Sequence, residues 1–149
     1  SRLEANPALQ SPEQVDLLAL AAEEAARYDD CSADGVPVLV RGEARLLRRL
    51  IRNLLENAKR HGKPPVRVHV RREGTTAVLE VVDRGAGVAE SERERVFTRF
   101  HRLGTDATGA GLGLSLVRQI ARLHGGDAAV APRAGEPSRF RVTLPALRV

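Results

Sequence analysis

The 149-residue chain has no methionine, no tryptophan and one cysteine, Cys31. One cysteine makes no internal bridge, and no set of Cys and His stands at metal-ligand spacing, so a disulfide scaffold and a zinc module are both excluded. Aromatics are scarce: Tyr28, Phe97, Phe100 and Phe140 are the whole set. With so few there is no interleaved stacking platform for single-stranded nucleic acid. No apolar run approaches the roughly 20 residues that span a bilayer, and the start, SRLEANPALQSPEQ, lacks the basic and then apolar layout of a signal peptide. These absences predict a soluble domain in a reducing compartment. A chain without an initiator Met is expected to be cut from a longer protein.

Lysine is nearly missing too. Only Lys59 and Lys63 accompany 22 arginines, and the formal charge is +5. A basic surface suits nucleic acid, an acidic protein or the phosphates of a small ligand. Stretches such as ESERERVF interleave both signs, however, as a solvated mixed-charge face does. The length fits one domain that hides roughly 68 to 70% of its unfolded surface, enough for a core without staples.

Residues 1 to about 14, with Pro7 and Pro12, read as a linker or the frayed end of a preceding helix, and the domain as 15–149. VDLLALAAEEAARYDD gives a helix that Asp29, Asp30, Ser32 and Gly35 close, leaving Cys31 in a loop. VPVLVR is a strand, and a long helix runs from Glu43 to about His61, stopped by Gly62 and Pro64. PVRVHVRRE and TAVLEVVD make a hairpin turning at Glu73-Gly74-Thr75. A glycine loop (83–88), a short charged helix through Phe97, a glycine-punctuated stretch (103–113), the helix LSLVRQIARLH and the strands DAAVAP and SRFRVTLP complete the chain. This mixture predicts a two-layer α/β sandwich, one sheet with helices on one face.

Three elements carry chemistry. In RLLRRLIRNLLENAKRHG, Leu46, Leu47, Leu50, Ile51, Leu54, Leu55 and Ala58 form a wide apolar stripe. Asn53 and Asn57, four apart, sit one above the other on its flank, with Arg60 and His61 one turn on. Helix interiors rarely favour Asn. Two readings stand here: amides aimed at a cavity, where a neutral oxygen suits a Mg²⁺ already held by polyphosphate, or amides that face solvent and bond locally. Asp83-Arg84-Gly85-Ala86-Gly87 follows a buried strand. Its Asp can accept from a ligand's exocyclic amine, and its glycines permit close backbone approach. Gly109-Ala110-Gly111-Leu112-Gly113-Leu114 opens a helix, an arrangement that offers backbone N–H groups to an anion. No Gly-Lys-Ser/Thr follows, so it is not a Walker loop, and no strand precedes it, so it is not a Rossmann turn.

Taken in order, these motifs strongly resemble the catalytic and ATP-binding domain of bacterial sensor histidine kinases, in the superfamily shared with gyrase, the Hsp90 chaperones and MutL. NLLENAKRHG looks like that family's N box, DRGAGV its first glycine box, VFTRFHR its F box and GAGLGL its second glycine box, so the resemblance covers residues about 15 to 145. It implies a Bergerat fold, a mixed and largely antiparallel five-stranded sheet on about three helices. It implies ATP and Mg²⁺, with Asn57 as metal ligand and Asn53 beside it. It implies Arg60 near phosphate and His61 near the nucleotide. Asp83 would lie on the adenine amine, with Gly85 and Gly87 shaping the pocket floor. Arg102, or else Arg99, would reach the γ-phosphate. Phe97 and Phe100 would anchor a lid that looks short for the family. Gly109, Gly111, Leu112, Gly113 and Leu114 would lie around the phosphates, and Ser138, before the last strand, on adenine through water.

The resemblance further implies transfer of the γ-phosphoryl group to a histidine on a dimerisation and phosphoacceptor hairpin, with a response regulator downstream and no direct nucleic-acid partner. The parent would be a homodimer anchored in the bacterial inner membrane with this domain in the cytoplasm, and the fragment a monomer that binds ATP without autophosphorylating. His61, His69, His101 and His124 all lack the His-Glu/Asp helical setting of the family's acceptor. Two alternatives remain: an anti-sigma-factor type of serine kinase, which usually carries Glu in place of Asn53, and a non-catalytic basic interaction module. Cys31 is incidental in this reading, and His69, His101 and His124 are structural.

Overall fold

The computed structural model describes residues 9–98, 113–133 and 135–148. The first strand, β1 (Glu13–Asp16), runs into α1 (Leu17–Ala25), where the Asp16 carboxylate caps the helix by accepting from the Ala19 N–H at 3.0 Å. Next come β2 (Cys31–Gly35), β3 (Leu39–Gly42), α2 (Ala44–His61), β4 (Val66–Glu73) and β5 (Thr76–Val82). Two single 3₁₀ turns follow at Glu90–Glu92 and Arg95–Phe97, then α3 (Gly113–Leu123), β6 (Asp127–Arg133) and β7 (Glu136–Pro145). Five strands form one sheet in the order β2-β4-β5-β7-β6, antiparallel except for the β2–β4 pair, and β1 pairs with β3 as a separate ribbon. The expected mixed five-stranded sheet with three α-helices is present among the described residues.

Strand alternation sorts the two sheet faces. Val66, Val68 and Val70 on β4, Leu79 and Val81 on β5 and Phe140, Val142 and Leu144 on β7 are buried together with Leu47, Leu50, Ile51, Leu54, Leu55 and Ala58 of α2 and Val117, Ile120 and Ala121 of α3. The opposite face carries Arg71, Arg139 and Arg141 clustered on Glu80, which is only 1% exposed. His124, just past α3, bolts the two helices together. Its Nδ1 donates to Ile120 O at 2.8 Å and its Nε2 accepts from Glu43 N–H at 3.1 Å, a pattern that fixes the neutral tautomer with the proton on Nδ1.

Four local expectations need correction. Cys31 lies on a strand, not in a loop: CSADG lacks any β-branched residue, yet it pairs along β4 as a short edge strand. VPVLVR contributes only its end to a strand, and that strand belongs to the ribbon and not to the main sheet. The charged helix through Phe97 is two 3₁₀ turns. The packed structure also reaches back beyond residue 15, since β1 starts at Glu13 and Gln10 N–H donates to the Glu43 carboxylate at 3.0 Å.

Candidate functional site

The C-terminal half of α2 defines the site. At its C-terminal end, Gly62 stops the helix, and the chain passes beneath Asp83, the residue that follows β5. Asp83 Oδ1 accepts from Gly85 N–H at 2.5 Å and from Lys63 N–H at 3.3 Å, while Lys63 O accepts from Arg84 N–H at 2.9 Å. A Cβ at Gly62 would overlap the Asp83 carboxylate, and one at Gly85 would lie 2.8 Å from Oδ1. The carboxylate is therefore seated on backbone with one oxygen spent, and among the described residues no hydrogen bond uses Oδ2. Sequence reasoning saw Gly62 only as a helix stop; its place directly before the loop that meets Asp83 appears only in the fold.

Further along the same helix, Asn53 and Asn57 are half-buried on the flank of the apolar stripe. Asn53 Nδ2 donates to Gly113 O at 3.2 Å, which ties α2 to the first residue of α3. Gly113 itself is exposed, and Leu114 packs against the core. Nine residues at 1.5 Å rise separate Asn53 from Gly62, so the two ends of the site lie about 14 Å apart. Arg60 and His61 are exposed on the last turn of α2.

The glycine loop after Asp83 is held by β7. Ser138 Oγ accepts from Val88 N–H at 2.8 Å and donates to Val88 O at 3.2 Å. Gly87 has φ +79°, and a Cβ there would lie 2.7 Å from Ser138 N. Ser138 thus lies within the last strand, not before it, and its hydroxyl braces the loop. Val96 and Phe97 are buried, and Phe97 meets Phe140 edge-on at 6.0 Å. Arg118 of α3 lies over the Phe97 ring at 4.2 Å, bonds Glu94 at 2.9 and 3.2 Å, and donates to Ala128 O at 2.8 and 3.1 Å. Hydrogen bonds from Arg118 hold the Glu94 carboxyl below its ordinary range. The sequence held one hint of this residue, an arginine one position past Val117 on the buried stripe. Arg99, Phe100, His101, Arg102, Gly109, Gly111 and Leu112 lie outside the described residues.

Cys31 lines a separate cavity of about 290 Å³ with Tyr28, Leu55 and Ala58, on the side of α2 turned away from Asn53. Burial pushes its thiol up, which is the wrong direction for a reactive thiolate.

Residues 42–148 match the family described as histidine kinase-, DNA gyrase B-, and HSP90-like ATPase. The chain belongs to that ATPase family. It is 42% identical over 101 residues to the alginate biosynthesis sensor protein KinB of Pseudomonas aeruginosa, covering 66% of this chain and 17% of KinB. It is 34% identical over 163 residues to the sensor-like histidine kinase SenX3 of Mycobacterium tuberculosis, covering 99% of this chain and 40% of SenX3. The solved ATP binding domain of PrrB from Mycobacterium tuberculosis superposes with a TM-score of 0.75 at 31% identity, over 93% of this chain and all of that one. The chain thus spans less than half the length of these curated relatives. The sheet with helices on one face is the ATPase family's Bergerat fold, as expected.

The metal that this ATPase family implies can be tested against the donor set. Among the described residues no group of three or more His, Cys, Asp or Glu could hold a metal ion. Mg²⁺ carried by a polyphosphate needs only one or two protein oxygens. Asn53 and Asn57 supply neutral amide oxygens, and with its Nδ2 turned to Gly113 O, Asn53 keeps Oδ1 uncommitted. The residues fit a phosphate-borne Mg²⁺ and not a protein-caged one.

Proposed function

We propose that the chain is the ATP-binding kinase domain of a sensor histidine kinase, transferring the γ-phosphoryl group of ATP to a histidine on a dimerisation and phosphoacceptor hairpin of its parent in two-component signalling. The seating of Asp83 carries this reading. Two backbone N–H groups fix Oδ1, so Oδ2 is presented as an acceptor, the partner that an adenine amine requires. The purine end then lies at Gly62 and the phosphate end about 14 Å away, where Asn53 meets the start of α3.

Phosphoryl transfer asks a protein mainly for positioning and charge neutralisation. Asn57 and Asn53 would hold the Mg²⁺, which offsets charge on the phosphates when bound. Arg60 supports the phosphates and His61 flanks the nucleotide; the positions Arg99, Arg102, Gly109, Gly111 and Leu112 complete the phosphate end. An amide is a poor base, so Asn53 does not activate water and net hydrolysis is slow. His124 is buried with both ring nitrogens engaged, and His69 is paired through Nδ1 with Asp34. In this reading the acceptor histidine belongs to the hairpin, so the isolated chain binds ATP without labelling itself. No helix of the described residues is long and apolar enough to cross a membrane. A membrane anchor belongs, in this reading, to the rest of the parent.

Titration with a fluorescent ATP analogue in Mg²⁺ tests the reading. Asp83→Asn keeps the shape but gives up one acceptor for a donor. Whichever way the amide turns, a donor faces a donor, and an unpaired buried donor costs about 1 to 3 kcal/mol. Affinity should fall about tenfold to a hundredfold. Asn57→Ala should abolish phosphotransfer to a supplied hairpin. Unchanged binding by Asp83→Asn with unchanged phosphotransfer by Asn57→Ala, or no binding by the folded wild type at millimolar analogue, removes the assignment.

A further inference from the structure

Four arginines crowd the N-terminal half of α2, and the fold divides them. Arg48 and Arg52 face α1: Arg48 pairs with Glu23 at 2.9 Å, and Arg52 grips buried Glu24 at 2.9 and 3.2 Å. Arg45 and Arg49 are exposed and have no ion-pair partner among the described residues. Arg45, in the first turn, also stands at the wrong end of its helix. Cations near a helix N-terminus oppose the macrodipole, and the first turn of α2 holds no acidic residue to offset them. Glu43, at the N-cap, makes no side-chain capping bond and accepts from Gln10 instead. Local stability explains neither arginine: Arg45 opposes the dipole and Arg49 pairs with nothing among the described residues, and a cost retained without local compensation points to function.

Their position gives the function a direction. Arg49 precedes Asn53 by four residues, about 6 Å along the axis and about 40° around it, and Arg45 continues that row by another turn. The row starts at the phosphate end of the site and runs away from the purine end. An acceptor attacking the γ-phosphoryl group in line must come from beyond that end. We propose that Arg45 and Arg49 dock an acidic face of the protein segment that presents the acceptor histidine. This rests on the phosphoryl-transfer reading above. Exposed like charges with no internal partner steer an oppositely charged partner and fix its register more than they add affinity.

The test supplies the parent's histidine-bearing hairpin, expressed separately, to the chain with Mg-ATP. Wild type is compared with Arg45→Ala/Arg49→Ala and Arg45→Glu/Arg49→Glu. KM for the hairpin, Kd for a fluorescent ATP analogue and the thermal midpoint are read in parallel. The charge-reversed variant should raise KM for the hairpin at least tenfold with Kd for the analogue unchanged, and the alanine variant should do so less. Both should melt at or above the wild-type temperature, because the dipole clash at Arg45 is relieved and Arg49 has no internal partner to lose; a purely structural role would lower it. Raising the salt should weaken hairpin use by wild type and leave the alanine variant nearly flat. A hairpin KM within twofold of wild type in both variants overturns the proposal. A tenfold loss of analogue binding assigns the arginines to the nucleotide and overturns it too. So does loss of duplex DNA binding with phosphotransfer intact, which would assign them to nucleic acid. A wild type that binds the analogue yet labels no hairpin removes the acceptor reading and this docking with it, while one that binds no analogue removes the nucleotide reading itself.

Discussion

Gly87 and Gly74 both adopt positive φ, +79° and +61°, but only Gly87 stands against other atoms. A Cβ at Gly74 meets nothing within 4 Å, while one at Gly87 meets Ser138 N and Oγ at 2.7 and 2.8 Å. The left-handed region costs a non-glycine residue about 1 to 2 kcal/mol. Gly74→Ala should lose that much in a urea unfolding series and bind nucleotide as wild type does. Gly87→Ala should lose more and weaken nucleotide binding several-fold, because the loop that Ser138 braces must shift next to Asp83. Equal nucleotide affinity in the two variants would show that the brace does not shape the site. At this scale the sequence named the glycines and Asp83 but misplaced the serine. Glycine strings advertise backbone freedom, whereas a hydroxyl's partner depends on which strand arrives beside it.

Arg118 joins elements that are far apart in sequence. Its guanidinium stacks on Phe97, forks onto Glu94 and reaches Ala128 O, so α3, the 3₁₀ turns and β6 share one side chain. Charge-assisted hydrogen bonds contribute about 1.5 to 3 kcal/mol, and a stacked cation about 1 kcal/mol more when shielded. Arg118→Ala should therefore cost about 2 kcal/mol and lower the thermal midpoint by about 4 to 8 °C. Arg118→Lys keeps the charge but not the planar fork, so it should recover less than half. Full recovery by lysine would reduce the contact to simple charge. Element types were largely legible: the apolar stripe of α2, the β4–β5 hairpin and the helix after the glycine box all stand where periodicity put them. Edge strand β2 was not, because CSADG carries no β signal and is a strand only through its partner β4.

Across the whole molecule, the open face of the sheet makes the fold sensitive to acid. Burial pushes the Glu80 carboxyl up, but hydrogen bonds from Arg71 and Arg141 and the charge of Arg139 more than offset it, so the carboxyl is held below its ordinary range. Asp127 is depressed too: burial raises its carboxyl, but the Ala128 N–H and Arg122 hydrogen bonds outweigh it. A carboxyl depressed on folding adds stability that is complete above its unfolded value, near 4.3 for Glu, and is lost as pH falls through the folded value. The urea midpoint should be flat around neutral pH and drop below about pH 4. Glu80→Gln should be less stable at pH 7, since Arg139 and Arg141 lose their counter-charge and Arg71 keeps only Glu73, and its acid limb should be shallower. An acid limb as steep as that of wild type would place the titrating group elsewhere.

By itself the sequence determined the class of the fold, the family and the identity of the residues available for chemistry, because periodicity, glycine strings and Asn-x-x-x-Asn spacing are local properties of a chain. Only the tertiary structure decided which of those residues meet. Gly62 lies under Asp83, Asn53 reaches Gly113, and Ser138 braces Val88. It also separated four similar arginines on one helix into two that pair with α1 and two that face outward. Pairing across 20 to 60 residues is a matter of how sheet and helices close on one core, and no local pattern encodes it.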